Sequence, residues 1–168
     1  SLPLSRTITV VAVNDSTVIT DTRDNKTTAA LKFTERGTDL VIGDSLTLTD
    51  SDDVKLDSVI VTISEKYLVG DSLFFSASGI SKLTNSGVTT YWNDSILTLS
   101  GSASIDSYVF ALNNLTFKNP GTDPTDNNTK TSRKITFKVS DVNSDAVGRV
   151  WSLPLSRTIT VVAVNDST

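Results

Sequence analysis

Over many short stretches of this chain, apolar residues fall at every second position, the pattern of strands with one buried face. Arg6–Val13 (RTITVVAV) reads this way, as do Leu31–Glu35 (LKFTE), Asp44–Asp50 (DSLTLTD), Lys55–Ser64 (KLDSVIVTIS) and Asp71–Ala77 (DSLFFSA). Ser95–Gly101 (SILTLSG), Leu115–Asn119 (LTFKN), Arg133–Asp141 (RKITFKVSD) and Arg157–Val164, a second RTITVVAV, complete the series. Clusters of Gly, Asn, Asp and Ser separate them, so the pattern predicts an all-β domain, an antiparallel β-sandwich. One stretch departs from it. Ser104–Asn114 (SIDSYVFALNN) sets Ile105, Tyr108, Val109 and Leu112 at helical spacing behind Ser104, a residue suited to cap a helix. A single short helix, crossing from one sheet to the other, is predicted there.

The segment SLPLSRTITVVAVNDST occupies Ser1–Thr17 and returns at Ser152–Thr168, identical at all 17 positions. Chance does not produce such agreement, so the chain carries one period of a tandem array, 151 residues from Ser1 to Ser152. Solenoid repeats run to roughly 20–50 residues, and this period is a whole domain instead. Residues 1–17 then read as the last strand and linker of a preceding repeat. Residues 18–168 read as one complete repeat ending in the same strand and linker. The expected partners are neighbouring copies of the same repeat, in tandem or through strand exchange between chains.

Cysteine, histidine and methionine are absent. That excludes a disulfide framework, a histidine-based catalytic triad and a histidine-ligated zinc site. With no nucleophile motif beside a positioned base, the chain does not read as an enzyme. A net charge of -4 without a basic patch argues against nucleic acid, and no apolar run reaches membrane-spanning length.

The acidic residues are unevenly placed. Asp50, Asp52 and Asp53 crowd one loop, Asn14 and Asp15 sit in the linker, and Glu35 ends a strand. Asp141, Asn143 and Asp145 occupy the loop before the last strand, and Asp166 repeats Asp15. Crowded carboxylates repel one another, and Ca2+, which takes about six to eight oxygen ligands, relieves that repulsion. Strand order places the loops after Asp50 and Asp141 at the end where the chain enters, beside Asn14 and Asp15. Glu35 falls at the opposite end with Asn165 and Asp166. Each end would then carry part of a metal site, completed only at the junction of consecutive repeats; a merely solvated acidic turn is the plainer alternative. An EF-hand is excluded, because DSDDVK has no glycine at its sixth position.

Asn14, Asn25, Asn93, Asn114, Asn127 and Asn165 each begin an N-x-Ser/Thr sequon and are glycosylation candidates. Glycans on Asn14 and Asn165 would crowd the linker and oppose metal binding there. Tyr91 and Trp92 form an aromatic pair suited either to stacking on a sugar or to covering core.

The succession LKFTE, SLTLTDSDD, SVIVTIS, GDSLFF, ILTLSG, YVFALNNLTFKN, ITFKVSD and RTITVVAVND resembles the cadherin-like repeats of giant bacterial surface adhesins. The resemblance covers nearly the whole period, and the closing ITVVAVND is its most specific part. It implies an Ig/cadherin-like sandwich, one unit of a tandem array whose linkers Ca2+ rigidifies. Its ligands would be a linker aspartate (Asp15, Asp166), a strand-end glutamate (Glu35) and an Asp-x-Asp pair (Asp50, Asp52). The chain departs from that pattern at the linker, VNDST in place of a small apolar residue and proline. It departs again at Arg36, where glycine is usual and where a cation would stand beside the metal. The expected role is an extracellular spacer of a long cell-surface adhesin or appendage. The alternatives are a subunit of an extracellular filament and a carbohydrate-binding module.

Overall fold

A computed structural model describes residues 1–23, 31–144 and 146–165, and among these the chain forms eleven strands and two helices. The main sheet has six strands in the order β2 (Leu31–Thr34), β11 (Leu155–Val162), β10 (Ser132–Asp141), β5 (Lys55–Glu65), β8 (Ile96–Ser104) and β7 (Thr89–Asn93). Two smaller sheets accompany it: β3 (Leu40–Val41), β9 (Leu115–Lys118) and β6 (Ser72–Phe75), and the pair β1 (Val18–Asp21) with β4 (Leu46–Thr49). Helices α1 (Ala77–Asn85) and α2 (Ile105–Asn113) complete the fold.

Alternation does what the sequence pattern demands. Ile135, Phe137 and Val139 of β10 and Val59, Val61 and Ile63 of β5 turn into one core shared with Leu48, Leu73, Leu112 and Phe117. Phe33 of β2 and Phe117 of β9 meet edge to face, ring centroids 5.2 Å apart, tying the main sheet to the smaller one.

The antiparallel sandwich with a single helix is corrected on two counts. Strand β2 runs parallel to β11, with Leu31 opposite Ile159 and Thr34 opposite Val162, so the main sheet is mixed. Period-2 alternation assigns side chains to faces and is silent about the direction of the neighbouring strand. A second helix, α1, follows β6. Ser76 caps it by accepting from the Gly79 N–H at 3.4 Å, and only Gly79 and Leu83 are buried. Ala77, Ile80 and Leu83 do recur at helical spacing behind Ser76, a short amphipathic pattern that the reading of Asp71–Ala77 as a strand overlooks.

Helix α2 falls on the stretch read as helical. The Ser104 hydroxyl accepts from the Ser107 N–H at 3.3 Å, and α2 carries the chain from β8 in the main sheet to β9 in the smaller one. The first RTITVVAV, expected as a strand, forms none, whereas its identical twin forms β11. A strand needs a sheet to join, and the same residues without a partner stay exposed.

The chain enters and β11 begins at the same end. Ser16–Ile19 and Leu153–Leu155 line one cavity there, and we call this end the proximal pole. Strand β11 then runs to the distal pole, where the Glu35 N–H donates to the Val162 carbonyl at 2.9 Å.

Candidate metal centre

At the proximal pole the loop after β4 folds around Asp50. Its Oδ1 accepts from the backbone N–H groups of Asp52 (3.2 Å) and Asp53 (3.0 Å), and its Oδ2 accepts from the Thr17 hydroxyl at 2.7 Å. This local turn gathers one carboxylate oxygen each of Asp50, Asp52 and Asp53 within 4.8 Å of one another. Asp52 Oδ2 in turn accepts from the Asp15 N–H at 3.0 Å. The loop after β10 closes from the other side. Asp141, fully buried, accepts at Oδ1 from the Val150 N–H (3.2 Å), and Asn143 Oδ1 accepts from the Gly148 N–H (2.6 Å). The Asn14 amide donates to the Gly148 carbonyl at 2.8 Å, so the linker is fastened to both loops.

Four buried side-chain oxygen or nitrogen atoms among the described residues lack a hydrogen-bond partner: Asn14 Oδ1, Asp53 Oδ2, Asp141 Oδ2 and Glu35 Oε1. All four are acceptor oxygens, and three belong to the residues of the proximal pole. Leaving an acceptor buried and unpaired costs roughly 1–3 kcal/mol, more when it is charged. Three such acceptors at one pole, Asp53 among them beside the Asp50 and Asp52 carboxylates, fit a cation.

The electrostatics agree. Burial pushes the Asp141 pKa up; the Val150 N–H and the Asn14 amide oppose the shift, and the charges of Asp53 and Asp50 reinforce it. Burial also works against the Asp50 charge, yet the Thr17 hydroxyl and the Asp52 and Asp53 N–H groups hold its pKa below the usual value. Asp52 is shifted upward: the Asp15 N–H lowers its pKa, but the adjoining Asp50 carboxylate and the Asp15 charge outweigh it.

At the distal pole Glu35, 3% exposed, accepts at Oε2 from the Val164 N–H at 2.8 Å. Its Oε1 lies 3.6 Å from Arg36 Nε. Arg36 has φ 57°, a left-handed conformation that favours glycine, and its guanidinium is the cation anticipated beside Glu35.

The structure thus gathers Asp15, Asp50, Asp52 and Asp141 at one pole and sets Glu35 at the other. Asp15 takes part through its backbone, and its side chain is exposed. Asp166, Asp145 and Asn25 lie outside the described residues. Asp53 and Asn14 read as part of the acidic loop and linker but lie outside the ligand set that the resemblance implies. Asp53 turns inward because the Asp50 turn rotates it there, a signal that residue types alone do not carry.

Of the sequons, Asn14 uses the nitrogen that would carry a glycan to bond Gly148. Asn114 caps α2 and donates to the Phe110 carbonyl at 2.8 Å, while Asn93, Asn127 and Asn165 are exposed. Tyr91 and Trp92 are neighbours on β7 and so face opposite sides, Tyr91 outward and Trp92 against the core. They do not form one stacking platform. Compared with family models, curated proteins and solved structures, the chain matches none.

Proposed function

We propose that this domain is a spacer unit of an extracellular tandem array on a cell surface, its junctions stiffened by Ca2+. The observation that carries the reading is the group of unpartnered buried oxygens of Asn14, Asp53 and Asp141 where the linker meets the domain. Every donor there is a hard oxygen, and the chain has no cysteine or histidine to prefer a softer metal. Mg2+ demands near-octahedral geometry and retains water, so a crowded carboxylate loop with carbonyl donors suits Ca2+ better. Asn14, Asp50, Asp52, Asp53 and Asp141 would hold the ion. Because Val164 is followed by a second NDST, the next repeat would bring its own acidic loop toward Glu35. Ions bridging the two would hold successive domains in line, with reach as the function and no chemistry.

Calorimetric titration of the 168-residue chain with Ca2+, paired with thermal unfolding, tests this. The expected result is binding and a melting temperature raised by about 5 °C or more at saturating ion. Asp53→Asn with Asp141→Asn should abolish both, while melting higher than the parent in chelator because two repelling charges are gone. A parent chain indifferent to Ca2+ would reduce the acidic loop to a solvated turn.

A further inference from the structure

The two copies of the repeated segment live in opposite circumstances. In the first, Leu4, Ile8, Val10 and Val13 are each at least 72% exposed and belong to no strand. In the second, β11 lies between β10 and β2 with Ile159 and Val161 buried in the core. Arg157 is buried with them. Its guanidinium donates to both Asp21 carboxylate oxygens (2.9 and 3.2 Å) and to the carbonyls of Ile42 (2.6 Å) and Asp44 (2.7 Å). Arg6, Ile8 and Val10 are the counterparts of Arg157, Ile159 and Val161, so the β11 slot suits the exposed copy as well as its present occupant.

The exposed copy is unable to reach the slot of its own domain. Seated there, Val13 would take the place of Val164 at the distal pole, beside Glu35. Thr17 is held at the proximal pole by Asp50, near the start of β11. From Leu155 to Val164 an extended chain covers about 30 Å, whereas the four steps from Val13 to Thr17 span at most roughly 14 Å.

We infer that Arg6–Val13, wherever it is not already seated as the last strand of a preceding repeat, is a donor strand for the β11 slot of a second copy of this chain. The donor lies parallel to β2 and antiparallel to β10 of the acceptor, Arg6 takes the Asp21 carboxylate, and Asn14–Thr17 leads into the donor's own domain. Each joined chain still presents a slot to the next, so the contact is head to tail and builds fibres. In the parent chain the two copies offer the slot the same contacts, but the resident copy is tethered to its own domain and so is favoured at low protein concentration. Exchange then requires β11 to leave both neighbours, so it is slow in the folded protein and accessible on refolding at high concentration.

The test disables one copy at a time, in chelator, so that its outcome is independent of the metal reading. Ile159→Asp spoils the resident strand and leaves the donor copy intact. It is expected to refold into β-rich oligomers whose sedimentation mass at least doubles the parent monomer's. Adding Ile8→Asp, at a position exposed in the monomer, should abolish those oligomers, and the synthetic peptide SLPLSRTITVVAVNDST added during refolding should restore a folded, peptide-bound monomer. A monomeric Ile159→Asp chain, oligomers that survive Ile8→Asp, or a peptide that restores nothing would each overturn the inference.

Discussion

Asp141 couples the pH dependence of the domain to the proposed metal site. Its carboxyl is fully buried, one oxygen is satisfied by Val150, the other has no partner, and its pKa is raised chiefly by burial. A carboxyl whose pKa is higher in the folded than in the unfolded chain contributes stability that is present below the ordinary carboxylate value. That contribution is lost as pH rises through the raised pKa. The calcium-free parent should therefore lose stability relative to Asp141→Asn between about pH 4 and pH 7. Denaturant unfolding of both proteins in chelator measures it, and an equal gap at the two pH values would show that Asp141 does not titrate across that window. The sign reverses with Ca2+, which requires the charged form. Acidification should weaken Ca2+ binding, because protons and the ion compete for the Asp141 carboxylate. Asp50 and Asp21, whose pKa values are lowered, behave oppositely and lose their contributions only at still lower pH.

Among the elements, the seating of α2 against the smaller sheets depends on the absence of a side chain. A Cβ on Gly43 would lie 1.8 Å from the Leu112 carbonyl oxygen, so the β3–β4 turn and the end of α2 touch backbone to backbone. The Asn113 amide then joins β4 as a strand would, donating to the Leu46 carbonyl (3.1 Å) and accepting from its N–H (3.3 Å). Gly43→Ala should destabilise by about 3 kcal/mol or more, because carbonyl and Cβ have no flexible end to move aside. Chemical denaturation checks it, and a loss below about 1 kcal/mol would mean that the helix shifts freely. Arg133 plays a comparable part in β10. Buried, it donates to both oxygens of the buried Asp71 and to the Pro124 carbonyl (2.8 Å). Arg133→Met should cost about 3–5 kcal/mol by leaving the Asp71 charge without its cation. Removing Asp71 as well, as Asp71→Asn, should return part of that loss. Such contacts mark the limit of what the sequence pattern discloses. The alternation in ITFKV and SVIVTIS located β10 and β5, and the Ser104 cap with its helical spacing located α2. The parallel pairing of β2 leaves no periodic trace, whereas α1 leaves a short one in Ala77, Ile80 and Leu83 that the strand reading of Asp71–Ala77 hides. At the candidate site the acidic residues and their division between poles were visible in strand order. The inward turn of Asp53 and the use of the Asn14 amide as a fastener depend on loop geometry that residue types do not encode.

At the scale of the whole molecule, the proposed array of these domains would have almost no slack. On the preceding side, Glu35 holds the chain as far as Val164, the counterpart of Val13. On the following side, Asn14, Asp15 and Thr17 are bonded to Gly148, Asp52 and Asp50. Between two such anchored segments the freedom of a junction would be confined to the backbone around a single residue, Asn165 in one numbering and Asn14 in the next. Protein contacts alone therefore restrict the hinge, but each is a lone hydrogen bond, worth about 1 kcal/mol, beside carboxylates that repel one another. Ca2+ would convert that repulsion into the force that holds the joint. A two-repeat chain examined by small-angle scattering should be elongated in Ca2+, and its maximum dimension should shorten in chelator as the joint begins to bend. Asn14→Ala at the central junction removes the Gly148 bond and should shorten the chelated form further while changing the Ca2+ form less. Profiles that superimpose with and without the ion, in both proteins, would mean that the short linker fixes the junction unaided. Calcium would then have no part in its stiffness.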